Sequence, residues 1–249
     1  RSAPASRVDA MGLKDYAIGV HRPEIEVDEG AGEWKSKDWS VGRWGLKQLI
    51  VDAVALPEVK MNPAVPHIPN LEAVHPVRWH FAALMPNASR HMRHYFKNTG
   101  ADLEINTPDM LRDVPSAKKA FRDELEEAMQ FVEANVTEAG RAYRISSQES
   151  REPYNRKDES WDWYYAMGSY DAWGEGTAAM RLTPAPKPPW ITGHRDVCVR
   201  YYTLVFQYQV RDRYNWDEGK KVSIAGMPIS DNMMGEFHLQ GLAKEYDMW

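Results

Sequence analysis

The sequence predicts an α+β protein, with a helical N-terminal half packed on a C-terminal antiparallel, aromatic-rich sheet and a short final helix. Three observations carry this expectation: an amphipathic run over 117–136, a change after about residue 142 to aromatic and β-branched residues punctuated by glycine, and a long alternating run that ends at Val210. Helices followed by strands, rather than alternating with them, argue against a doubly wound sheet. With 249 residues, 43% of them hydrophobic, the chain can bury a core without external staples.

Residues 1–38 lack periodicity and mix Gly30 and prolines with Glu24, Glu26, Asp28 and Glu29, which reads as a loosely packed arm. Residues 39–142 read as a mainly helical lobe. Its first helix runs from Ser40 to Ala55, with Trp44, Leu46, Ile50 and Val54 near helical spacing, and Pro57 stops it. Pro57, Pro63, Pro66, Pro69 and Pro76 make 57–78 an extended surface connection. Asn87 or Ser89 can cap a helix that runs through Phe96, with Gly100 beyond it as the stop. Ser116 then opens the helix over 117–136, where Phe121, Leu125, Met129 and Val132 recur at intervals of four, four and three as the core face.

Residues 143–249 read as a mainly antiparallel β lobe, with strands over 161–170, 176–183 and 196–210. In the last of these, Tyr202, Leu204, Phe206, Tyr208 and Val210 share one face, while Gln207 and Gln209 turn the other polar near its end. Ser230 can cap a short helix over 231–240 that Gly241 closes. The change of character near residue 142 has no flexible linker, so two lobes sharing a core are expected.

The net charge of −5 argues against binding held to nucleic acid mainly by counterion release, although a nuclease with a local basic groove stays open. Cys198 is the only cysteine, which excludes an intramolecular disulfide and a four-cysteine zinc site; in its apolar, β-branched surroundings it reads as core. No stretch approaches the ~18 apolar residues of a spanning helix, and the run Leu49 to Leu56 already contains Asp52. The start at Arg1-Ser2-Ala3-Pro4 reads as a processed or excised piece of a longer chain.

The best candidate site follows the long strand: Asp212, Arg213, Tyr214, Asn215, Trp216 and Asp217. Two carboxylates five apart, with a phenol between them, can hold Mg²⁺ or serve as general base at a rigid strand end. The same residue types also make an ordinary turn. His238 on the final helix is a candidate acid or base beside Asp212, Tyr214 and Asp217. Arg213 and Trp216, with Tyr170 and Trp173 from the aromatic stretch 161–174, are candidate substrate contacts, since aromatic faces stack on sugars, bases and lipid head groups. His91 and His94, three apart with His75 and His80 nearby, can share a metal, but without a His-Glu-x-x-His pattern a surface or interface role fits them better.

The segments 87–96, 110–115, 163–170 and 212–247 together resemble the C-terminal toxin or cargo modules of bacterial polymorphic-toxin and secretion-system proteins. A weaker similarity is to the catalytic domain of colicin M-like bacteriocins, on Asp212 and Tyr214 of its Asp-x-Tyr-Asp element. Asn215 stands where that family has its second Asp, and Lys220-Lys221 where its His-Arg pair is expected, so His238 or His194-Arg195 would have to substitute. The resemblance implies an antibacterial effector, secreted or delivered into a target cell, that hydrolyses a phosphate ester or pyrophosphate of a lipid-linked envelope precursor with Mg²⁺ on Asp212 and Asp217. Its partners would be an immunity protein or a delivery scaffold. The alternatives are a binding or structural module of a toxin delivery system and a cytoplasmic nuclease toxin.

Overall fold

The computed structural model describes residues 16–25, 84–184, 198–216, 221–224 and 227–249. They form an α+β protein in two compact units that interleave along the chain. One unit comprises Arg1–Ile25, Ala117–Pro153 and Asp171–Val210; the other comprises Glu26–Ser116, Tyr154–Tyr170 and Arg211–Trp249. The change of character near residue 142 therefore falls inside a segment of the first unit. The expected helix over 40–55 and the proline-rich connection over 57–78 lie outside the described residues.

The first unit is a helix on a sheet. Strands β1 (Tyr16–Ile18), β2 (Ala142–Ser147), β3 (Asp171–Pro184) and β4 (Cys198–Tyr214) lie side by side in sequence order. Antiparallel pairing sets Ile18 opposite Ile145 and Ala142 opposite Ala179. β1 lies within the stretch expected to be a loose arm: its Tyr16 is buried, which anchors this part of the chain to the sheet edge. The helix Pro115–Asn135 belongs to this unit from Ala117 on, and it buries Ala117, Glu124, Ala128 and Val132. Ala128 and Val132 join the core cluster of the sheet, Phe131 packs against it, and the Phe121 ring meets those of Phe206 and Tyr208. Met129, expected in the core, sits one position round from Ala128 and is 50% exposed.

Inside this interface lies a charge. Glu124 is buried, and its carboxylate accepts the Tyr16 hydroxyl at 2.6 Å and the Arg151 Nε at 2.9 Å. Arg151 also pairs with Glu127, and its backbone exchanges two hydrogen bonds with Ala172. A buried carboxylate needs this company because desolvating a charge costs several kcal/mol, of the order that its partners must return. Two glycines of β3 make room for the same layer. A Cβ on Gly174 would lie 2.1 Å from the Tyr16 hydroxyl and 2.7 Å from the Phe206 ring, and one on Gly176 would lie 2.6 Å from the Val205 carbonyl oxygen.

β4 bears out the expected long strand and extends it: Tyr202, Leu204 and Phe206 pack on the core, and the strand continues to Tyr214. Cys198, expected in the core, is exposed, because it is the first residue of β4, ahead of the residues that meet the helix.

The second unit holds helices α1 (Pro86–Phe96), α2 (Thr107–Asp113), α4 (Trp161–Ala166) and α5 (Asp231–Leu239), with the Pro115–Asn135 helix counted as α3. The hairpin β5 (Lys221–Ile224) and β6 (Met227–Ser230) precedes α5, and β7 (Tyr246–Met248) pairs antiparallel with the end of β4. The strand expected over 161–170 is a helix in its first half. Ser160 caps it by accepting the Trp163 N–H, and Asp162 sits in its first turn, so local capping overrides the β preference of the aromatic residues.

Asp162 does a second job. Its carboxylate accepts the N–H groups of Asn87 and Ala88 and the Asn87 side chain, which supplies the N-terminus of α1 with the partner expected from Asn87 or Ser89 themselves. Ser89 is instead buried within the helix. Glu159 serves α3 in the same way, accepting both the N–H and the hydroxyl of Ser116. The chain leaves α1 through Asn98 in the left-handed region, φ 60°, with Gly100 at φ 64° beyond it. Gly241, at φ 67°, follows α5 as expected. Among the described residues no helix is long and apolar enough to cross a membrane.

Candidate functional site at the end of strand 4

The end of β4 carries two kinds of residue. Alternation along the strand sends Tyr214 inward, where it stacks on Tyr246 with ring centres 5.2 Å apart and meets Trp216 edge-on at 5.6 Å. Tyr95 packs against both Tyr214 and Trp216, and Phe96 meets Phe237. Tyr214 is 7% exposed, its hydroxyl directed at the Met92 sulfur, 3.8 Å away, and burial raises its pKa above the ordinary phenol value. A phenol so placed is core material, poorly suited to exchanging protons with a substrate. Trp216 is likewise buried, and its backbone N–H donates to the Glu245 carboxylate at 3.2 Å.

Arg213 turns the other way. In the β4–β7 pairing it lies opposite Asp247, with Nη1 at 3.5 Å from the Asp247 carboxylate and Nη2 at 4.0 Å from Glu245. The Glu245 side chain is fully buried, whereas those of Arg213 and Asp247 are about one-third exposed, at 32% and 30%. Asp212 accepts the Arg213 N–H at 2.7 Å and is close enough to Tyr246 for its charge to raise the Tyr246 pKa, after burial and the neighbouring Tyr214.

His238 joins this group from α5. Its Nδ1 accepts the Glu245 N–H at 3.2 Å. Burial first, then the charges of Arg213 and Lys244, lower its pKa, which favours the neutral ring. With Nδ1 occupied as an acceptor, the neutral ring carries its proton on Nε2. The expected acid-or-base role therefore narrows: this imidazole offers a hydrogen-bond donor, and it could take up a proton only by giving up the Glu245 contact.

The other expected site residues distribute as follows. Tyr170 is buried in the second unit, and Trp173 is buried in the first, its indole donating to Glu175 at 3.1 Å. Asp217 lies outside the described residues, as do His75, His80, His194 and Arg195. His91 is buried rather than at the surface: its Nδ1 is 3.2 Å from the Tyr246 hydroxyl, which also bonds the His91 carbonyl oxygen at 3.0 Å. Burial, with Arg90 and His94 nearby, pushes its pKa down to about 3. His94 directs Nε2 at the Ala101 carbonyl oxygen, 2.6 Å away, so the two imidazoles make different hydrogen bonds although both rings pack against Tyr246. Among the described residues no group of three or more His, Cys, Asp or Glu side chains is placed to hold a metal.

Glu245 and Asp247 were not singled out from the sequence. The signal was the alternation Lys244-Glu245-Tyr246-Asp247-Met248, which reads as a short strand but is too brief to stand out. No family model, no curated protein and no solved structure matches the chain.

Proposed function

We propose that the chain is an antibacterial toxin or effector domain whose working groups are the polar residues at the end of β4, and that it hydrolyses a phosphate ester or pyrophosphate of a cell-envelope lipid precursor. The observation that supports this best is the convergence of Arg213, His238, Glu245 and Asp247 on a rigid aromatic base. A guanidinium and a neutral imidazole N–H are donors suited to phosphoryl oxygens, and the buried Glu245 holds both through Arg213 and through its own backbone N–H. Asp212 and Asp217 are the carboxylates proposed to hold Mg²⁺, which would polarise the phosphoryl group and activate a water. Asp212 shares the Tyr214 face of β4, so the metal would approach the phosphoryl group from the opposite side of the strand to Arg213. Tyr214 and Trp216 keep the strand end in place and do not touch the substrate.

Expression in the periplasm of a sensitive bacterium tests this reading. Wild type should kill, and Asp212→Ala should not, while its purified form keeps the wild-type melting temperature. Equal killing by the two, or none by either, counts against it.

A second reading, a binding module that docks on an immunity protein or delivery scaffold, is favoured by one feature of the same unit. Trp161 and Tyr154 are 56% and 51% exposed, with the Lys157 ammonium 4.4 Å from the centre of the Trp161 ring and Tyr164 and Tyr165 alongside. Half-exposed aromatic residues beside a cation are common anchors of protein interfaces. A melting temperature raised by a protein partner and indifferent to Mg²⁺ would favour this reading over the enzyme.

A further inference from the structure

We propose that the aromatic face of α4 is a binding site for a quaternary ammonium group of the choline type, and that the ammonium of Lys157 fills it until such a ligand arrives. The site lies on a different element from the strand end at Asp212, and the inference stands independently of the reaction proposed above.

The cage follows from the sequence of α4. Trp161, Tyr164 and Tyr165 stand three and four apart, so the helix sets their side chains on one face. The Trp161 and Tyr165 rings lie 6.0 Å apart between centres with 54° between their planes, and Tyr164 meets Tyr165 at 5.0 Å and 74°. Rings so steeply inclined form walls around a space rather than a flat stack. Tyr154 backs Tyr164 edge-on at 6.0 Å. The Lys157 ammonium lies in that space, 4.4 Å from the ring centre of Trp161, 5.2 Å from that of Tyr165 and 5.3 Å from that of Tyr164. The electron-rich faces of these rings converge on one point, and a cation is what they hold there.

The walls have firm support. Between them in sequence, Trp163 is buried with its indole donating to Asp113 at 3.3 Å, and Asp162 is bonded to the start of α1. Tyr154 bridges to Ser169, and the Asn155 N–H donates to the Gly168 carbonyl oxygen at 2.9 Å. A cage in place before its ligand arrives spends little binding energy on ordering. Lys157 is a replaceable occupant. Its ammonium bonds the Tyr165 side chain, which raises its pKa, but it gets there on a flexible four-carbon stem and at the expense of strong hydration. A quaternary ammonium carries the same charge with no N–H groups to hydrate, and it is the group that aromatic cages select. Nor do the neighbouring acids depend on Lys157: Asp158 pairs with Arg156 at 2.7 Å, and Glu159 accepts the N–H and hydroxyl of Ser116. Trp161, 56% exposed, opens the cage to solvent.

Tetramethylammonium chloride titrated into the whole chain, against sodium chloride at matched ionic strength, should show saturable binding by ligand-observed NMR. Lys157→Ala empties the cage and should tighten that binding about tenfold. Trp161→Ala removes a wall and should weaken it at least about tenfold, whereas Tyr165→Phe keeps its ring and should retain it. Circular dichroism and melting temperature of the variants should match the wild type. Choline and phosphatidylcholine vesicles then identify the source of the group. Flotation of the protein with vesicles, competed by choline, assigns a lipid headgroup, and choline binding without flotation assigns a free solute. No saturable binding by either the wild type or Lys157→Ala overturns the proposal. So does binding that a folded Trp161→Ala leaves unchanged, or that Lys157→Ala weakens.

Discussion

Each unit buries a polar group in its core, Glu124 in one and His91 in the other, and the two are satisfied in opposite ways. In the first, Glu124 enters the helix–sheet interface with both carboxylate oxygens engaged, one by the Tyr16 hydroxyl and the other by Arg151. In the second, His91 enters the aromatic core with Nδ1 beside the Tyr246 hydroxyl, while Nε2 has no hydrogen-bond partner among the described residues. The paired carboxylate ties β1, α3 and the start of β3 together. The half-satisfied imidazole instead makes its surroundings sensitive to proton concentration. A buried polar group with all its partners is a fastening, and one with a partner missing is a point of weakness.

The largest expected effect comes from breaking the fastening. Arg151→Met leaves Glu124 buried without its counter-charge, held only by the Tyr16 hydroxyl, and should cost about 3–5 kcal/mol in denaturant unfolding. A loss below about 1 kcal/mol would mean that the ion pair is not what secures the first unit, and the contrast between the units would fail.

Acid should act next, through the second unit. The His91 pKa is about 3 in the folded protein and about 6.5 when unfolded. The stability that comes from keeping the ring neutral is therefore fully present above about pH 6.5 and is lost as pH falls towards 3. Between pH 6.5 and pH 5 the loss should be on the order of 2 kcal/mol. Denaturation curves of His91→Leu should lack this limb of the pH profile. If wild type and variant lose stability in parallel over that range, His91 is not the responsible group.

A smaller effect is expected where the second unit does use a fully engaged carboxylate. Asp162→Ala removes the partner of two N–H groups at the start of α1 and should cost about 1–2 kcal/mol. Accelerated amide exchange confined to the first turn of α1 would sharpen the assignment, and unchanged exchange there would remove it.

What could be read from the sequence follows the same division. The α+β class, the long strand to Val210 and the helix over 117–136 were legible because their periodicities span many residues. The helix face was partly legible: Phe121 and Val132 meet the sheet as expected, while hydrophobicity alone promotes Met129, which the structure leaves half exposed in favour of the neighbouring Ala128. β1 was missed because three residues give no measurable period, and α4 because its aromatic composition masks the Ser160 cap. At the candidate site, the residue types between Asp212 and Asp217 directed attention to the end of β4. They could not reveal that alternation turns Tyr214 inward and Arg213 outward, nor that Glu245 and Asp247 come to Arg213 from the far end of the second unit. Strand pairing between segments more than thirty residues apart is not written in either segment alone.

The proposed function requires that the aromatic residues at the end of β4 be framework and that their polar neighbours act. Tyr214→Phe and Asp212→Asn, expressed side by side in the periplasm of a sensitive bacterium, separate these roles most directly. The Tyr214 variant, which loses only a hydroxyl facing the Met92 sulfur, should kill as the wild type does, and the Asp212 variant should not. Loss of killing by a folded Tyr214→Phe, or full killing by Asp212→Asn, would contradict the account.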